Sequence, residues 1–259
     1  MMGGYMATRR RIAACLLGIG LGALGLSTSA AAVAVGVAQV PATSVPGAKV
    51  RTAARIEVLA ARQVVGLTGS VQVIPDPDHA AAMLKQGGID SWLGVADPAA
   101  LGSAVQASDL HYSLSPLAIL RTDTDIHDWR ALSGRTVCLA ADGRYVGEVS
   151  ARYGAIEQVY PSVTDALLGV RTGACDAMVH DQAFLEALLK FPEWKKFSAR
   201  LEPYRQVSLL RVVASQASGK TLGPVLKATS PSGLAALTAG QARDIAFEVY
   251  LDQVVPDCH

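Results

Sequence analysis

The side chains able to do chemistry are few and spread along the chain. Five histidines (His79, His111, His127, His180, His259) stand far apart, and there is no Cys-x-x-Cys or mixed His/Cys cluster. The spacing therefore builds neither a zinc nor a haem site. Asp97, Asp142, Glu148 and Asp181 fall beside turns, but no two of them form a poised general acid and base. What the pattern does show is charge at the ends of elements. Arg144 and Tyr145 follow the turn Asp142-Gly143 and open a helix expected over 144–153. A cation in a helix's first turn opposes the dipole, which points to an anion bound beside it; the plainer alternative pairs Arg144 with Asp142 or Glu148. Asp181 follows a strand expected over 174–180 and leads into a helix over 182–190. A carboxylate at a strand's carboxyl end makes a charge-assisted hydrogen bond to an amine, or it caps the helix. The chemistry implied is capture of a charged solute, with no catalysis and no cofactor.

Such residues need a scaffold, and the chain reads as alternating strands and helices. A β-rich run covers 33–40, and helical spacing covers 50–66 with Gly66 as its stop. A strand at 70–74, a helix at 80–86 capped by Asp78 and closed by Gly87-Gly88, and a strand at 89–95 follow. This order predicts an α/β fold with a mostly parallel sheet. The polar stretch 123–133 separates a second, similar half: strand 136–140, helix 144–153, strand 158–160, helix 163–171, strand 174–180. Ser162 with Asp165 forms a near capping box. The extended runs 115–121 and 207–214 fit two crossings between two lobes. Ligands in such sheets sit beyond the carboxyl ends of the strands, and two-lobed proteins close on them by hinge bending.

The balance of 23 basic and 22 acidic residues gives no electrostatic case for nucleic acid or an anionic membrane. At the N-terminus, Arg9 to Arg11, an apolar run over 12–26 and small residues over 29–34 read as a secretory signal peptide. The run of about 15 residues is shorter than the roughly 20 that span a bilayer. Cleavage then starts the mature chain between residues 30 and 35 and places it outside the cytoplasm. About 225 residues remain, enough for one or two compact domains. Cys15 leaves with the leader. Of Cys138, Cys175 and Cys258, pairing in an oxidising compartment leaves one over.

Specific motifs extend this reading. Leu132 to Ala140 with its glycine turn resembles L-x-G-K-x-V-x-V-x-x-G, and Val170 to Asp181 resembles L-x-x-G-x-x-D-A-x-x-x-D. Ala82 to Asp90 and Ser108 to Tyr112 (resembling F-S-x-x-Y) match less closely in the first half. Together they resemble the family 3 extracellular solute-binding proteins, which serve ABC importers of polar amino acids. The resemblance implies a type II two-lobed fold: signal peptide 1–34, lobe 1 over 35–118 and 212–259, lobe 2 over 119–211. It also implies a periplasmic monomer that hands a small polar solute to an inner-membrane ABC permease.

By that resemblance Asp181 holds the solute's ammonium group. Gly143, Arg144 and Tyr145 occupy the place of a Ser/Thr-bearing helix start that binds a carboxylate. The first half departs from the pattern. No arginine follows in Gly94 to Gly102, Asp97 stands where a hydroxyl is expected, and Val40 to Pro46 replaces an aromatic P-x-P-F. Either Asp97 and Asp181 face the cleft and favour a cation, or Arg144 takes a carboxylate. Trp92 is a candidate aromatic wall or a core residue. Cys138 and Cys175, on strands of one lobe at matching depth, are expected to form a disulfide, with two buried thiols as the alternative. Two other functions stay open: an accessory protein of a periplasmic redox enzyme or sensor, and a periplasmic dehydratase on the same fold.

Overall fold

The computed structural model describes residues 32–39, 51–67, 69–216 and 219–253. The expected leader, the segment 40–46 and Cys258 lie outside them. Strand β1 (Ala34–Ala38) leads through helix α1 (Ile56–Val65) to β2 (Ser70–Ile74), α2 (Pro77–Gln86), β3 (Ser91–Gly94) and β4 (Val105–Ser113). The second half runs β5 (Pro116–Leu120), β6 (Thr136–Ala140), α3 (Glu148–Tyr153), β7 (Ile156–Tyr160), α4 (Val163–Arg171), β8 (Ala177–Asp181), α5 (Gln182–Leu188) and β9 (Ala199–Leu201). The chain then returns through β10 (Ser208–Ala214) to helices α6 (Gly219–Ala228) and α7 (Pro231–Asp252).

Two five-stranded sheets result, ordered β2-β1-β3-β10-β4 and β7-β6-β8-β5-β9. In each, three strands are parallel, and the next two are antiparallel to their neighbours. The sheets are therefore mixed rather than mostly parallel. Each sheet sits at the centre of one lobe, so the α/β two-lobed, type II periplasmic-binding-protein-like arrangement is present. The extended runs expected to cross between lobes are themselves strands, β5 in the second sheet and β10 in the first. The crossings are the short links 114–115 and 202–207. They are laced together: Leu114 N donates to the Val207 carbonyl (2.8 Å), and Val207 N donates to Ser115 Oγ (2.9 Å).

Local chemistry explains the elements. Asp76 rather than Asp78 caps α2, accepting from His79 N at 2.9 Å, and Pro77 takes the first helical position. Ser162 Oγ accepts from Asp165 N at 3.1 Å and starts α4 as expected. Residues 51–55 are not helical, contrary to the spacing, because tertiary bonds claim their backbone. Thr52 N donates to Glu248 (3.0 Å), and the carbonyls of Ala53 and Ala54 accept from Gln241. Trp92 is completely buried among Ile74, Leu84, Leu101, Leu210 and Val212. Of the two roles the sequence left open to Trp92, the structure gives it the core and not the aromatic wall of the cleft. Gly94 makes room for it, since a Cβ there would lie 2.3 Å from the indole ring. Cys138 and Cys175 are disulfide-bonded, with Cα atoms 5.7 Å apart.

Helix α7 departs from the expected lobe boundary. Leu234 packs in the first lobe's core with Ile56, Ala60 and Val225. Ala242, Ile245, Ala246 and Val249 pack in the second lobe's core with Val163, Leu167, Phe184 and Leu188. A 22-residue helix is about 33 Å long, enough to span both.

Candidate functional site

The polar residues between the lobes are built from a helix start on one side and strand ends on the other. Arg55 is the N-cap residue of α1, and Glu57 lies in that helix's first turn, fully buried. Glu57 Oε1 lies 3.1 Å from Arg55 Nε and 2.5 Å from Arg144 Nη2. Arg144 Nε is 3.5 Å from Asp181 Oδ1. Arg55 also donates to the Ala38 carbonyl at the end of β1 (2.9 Å). The result is a chain Arg55–Glu57–Arg144–Asp181, alternating in sign and summing to zero. Its first two members belong to the first lobe and its last two to the second.

Burial alone would depress both arginines. Arg55 does lie below its ordinary value, with desolvation outweighing Glu57. Arg144 ends above its ordinary value, because Glu57 and Asp181 together overcome the desolvation. Both remain cations, so the chain is ionic. Tyr145 is pushed well up by burial and by Asp181. Its hydroxyl is 2.6 Å from Asp181 Oδ1 and 2.5 Å from the Leu114 carbonyl in the first crossing. One proton serves two acceptors there, which ties the second lobe to the hinge.

Asp181 is the N-cap residue of α5, yet its side chain makes no capping bond. The carboxylate turns into the interlobe cluster instead. Asp181, Arg144 and Tyr145 are thus brought together as the sequence suggested, but the helix behind Arg144 starts only at Glu148. Arg144 therefore sits in the preceding loop, held by counterions rather than opposing a dipole. Gly143 supplies only the turn, its N donating to the Ala140 carbonyl at 2.9 Å. Asp97 does not join the cluster. It is exposed and caps a short 3₁₀ turn, accepting from Ala99 N at 3.0 Å.

Sequence reasoning missed Arg55 and Glu57. The available signal was Arg-Ile-Glu opening an otherwise alanine- and valine-rich helix, which reads equally as ordinary dipole compensation. Glu57 Oε2, Asp181 Oδ2 and Asp142 Oδ1 are buried without a hydrogen-bond partner among the described residues. Beside Asp142 lies a recess of about 530 Å³, lined also by Gln39, Ala53, Arg55, Val58, Arg62 and Val73. Gln39 follows β1 and Asp142 lies just beyond β6, so strand ends of both sheets face it.

Further bonds fasten the lobes. Glu248 of α7 takes Thr52 from ahead of α1 and Thr164 from α4 (2.8 and 2.5 Å). Arg51 pairs with Asp252 and lies 3.5 Å from Asp165. In the second crossing, Arg205 forks onto Glu148 at 2.9 Å twice, and Tyr204 donates to the same carboxylate at 2.7 Å. Among the described residues there is no cluster of three or more metal-ligating side chains, and no helix is long and apolar enough to cross a membrane.

No family model and no curated protein matches the chain. Solved structures resemble it at low identity. One is the GluR0 ligand binding core in complex with L-glutamate, 17% identical, covering 86% of this chain and 98% of that one, TM-score 0.45. Another is holo ArgBP from T. maritima, 16% identical, covering 85% and 94%, TM-score 0.42. A third is the periplasmic VFT2 domain of BvgS from Bordetella pertussis, 19% identical, covering 80% and 93%, TM-score 0.41. At these scores the likenesses carry no argument, and the functional reading rests on the residues above.

Proposed function

We propose that the protein is a periplasmic solute-binding protein that takes a small polar solute bearing both an amine and a carboxylate. The carrying observation is the recess between the strand ends of the two lobes. Its lining holds the cations Arg55 and Arg62 together with Asp142, whose Oδ1 has no hydrogen-bond partner among the described residues. Charges of both signs in one lining suit a zwitterion. Gln39, Arg62 and Val73 are exposed, so a solute enters without opening the ion chain. Export by the leader and delivery to an ABC permease follow from the motif resemblance, and the binding itself needs neither cofactor nor catalysis.

A second reading draws support from the ties between the lobes. Glu57 already occupies the position of a bound carboxylate between Arg55 and Arg144, and α7 spans both cores. A protein held closed in this way suits a partner-binding accessory role. A thermal-shift panel of amino acids, polyamines, other organic cations and carboxylates separates the two. Solute binding raises the melting temperature by mass action. The expected result is a shift with an amine-bearing acid that Asp142→Asn removes while leaving the ligand-free melting temperature unchanged. No shift across the panel would sink the solute reading in favour of the accessory one.

A further inference from the structure

Helix α7 is apolar on more sides than its own fold covers. Its inner faces carry Leu234, Thr238, Ile245 and Val249 into the two cores. Of its four charged residues, Glu248 and Asp252 turn toward Thr52 and Arg51, while Arg243 and Asp244 are exposed. The outer face still carries Phe247, Tyr250 and Leu251, at 60%, 72% and 62% exposure. They fall at i, i+3 and i+4 on one side of the helix. Three neighbouring large exposed apolar residues mark an interaction surface.

The same face explains what covers it. One turn and more toward its start it carries only Ala236 and Gly240 between Leu237 and the exposed pair Arg243 and Asp244. Beside these small residues lies a recess of about 370 Å³ whose walls include Leu59, Leu237 and Gly240. A second α7 laid antiparallel about a twofold axis at Arg243 and Asp244 brings Phe247 and Leu251 onto small residues and Tyr250 onto Leu237. Phe247 then falls opposite Gly240, and Tyr250 and Leu251 fall opposite Leu237 and Ala236. The two Arg243/Asp244 pairs meet at the axis with opposite signs adjacent. An isologous contact requires this self-complementarity of size and charge.

We infer that the outer face of α7 binds a second copy of this chain, forming a reversible antiparallel homodimer in place of the monomer expected from the sequence. The face is one helix wide and about 24 Å long from Ala236 to Leu251, which suits a weak dimer.

Sedimentation velocity of the purified protein over about 1 to 200 µM, with and without reductant, tests this. The expected result is a concentration-dependent rise to two chains that reductant does not change. Gly240→Glu is the sharpest variant. A Cβ at Gly240 meets nothing within 4 Å in its own chain, so the fold accepts a side chain there while the partner's Phe247 does not. It should weaken association at least about tenfold, as should Phe247→Glu. A single-chain mass across the whole range would overturn the inference. So would a dimer unaffected by both variants, or one that reductant abolishes.

Discussion

In the second lobe the charges of the ion chain, Arg144 and Asp181, follow the ends of strands β6 and β8; in the first, Arg55 and Glu57 stand where a helix begins. Both strands are fixed by their pairing in one sheet, and the disulfide from Cys138 in β6 to Cys175 just before β8 ties them together. The helix start is placed by long-range bonds from residues 51–55 to α7, and it carries the one carboxylate that meets both arginines. The comparison teaches that the two walls of this interlobe site are made by different means. One is read from local motifs, and the other exists only after the chain has folded back on itself.

The largest expected effect strikes the first-lobe wall. Glu57→Ala leaves Arg55 and Arg144 buried together without the carboxylate between them. Removing one partner of a buried ion pair costs about 3–5 kcal/mol. Urea unfolding monitored by tryptophan fluorescence should show a fall in the midpoint of that order. A loss under about 0.5 kcal/mol, the scale of an ordinary surface substitution, would break the comparison, since the chain would then be closed by the second lobe alone.

That asymmetry also decides what was legible in the sequence. The fold class followed from the alternation of strands and helices, and the Asp-x-x-x-x-Asp run singled out Asp181, which the fold places beside Arg144 and Tyr145 between the lobes. The cap at Ser162 was likewise local. Asp97 was placed at the cleft by a pattern that the first half keeps only patchily, and a turn took it instead. Trp92 stood open between a cleft wall and the core, and burial among apolar side chains gave it to the core. Glu57 carried no local mark, because an acid in a helix's first turn is ordinary. Its burial depends on Arg144, 87 residues away.

A smaller effect belongs to the second lobe and shows in pH. His180, next to Asp181 on β8, is buried, and desolvation lowers its pKa below the ordinary 6.5. In the unfolded chain it takes a proton at a pH where the folded protein does not. Its contribution is therefore fully present above about pH 6.5 and lost as pH falls toward the folded value, by at most about 1.4 kcal/mol per pH unit. In the first lobe His79 and His111 are largely exposed, at 68% and 84%. The urea midpoint should fall between pH 7 and pH 5, and His180→Asn should flatten that slope. An equal slope in the variant would assign the sensitivity elsewhere.

The smallest effect separates the two aspartates that the sequence set on opposite sides of the cleft. Both precede a helical turn, and only one caps it. Asp97 accepts from Ala99 N, whereas Asp181 gives its carboxylate to Tyr145 and Arg144. Asp97→Ala should cost about 1 kcal/mol, the usual value of a lost N-cap, and should leave any solute-induced thermal shift unchanged. If the shift disappeared with Asp97→Ala, the first lobe would be contributing a strand-end carboxylate after all, and the contrast between the two walls would have to be withdrawn.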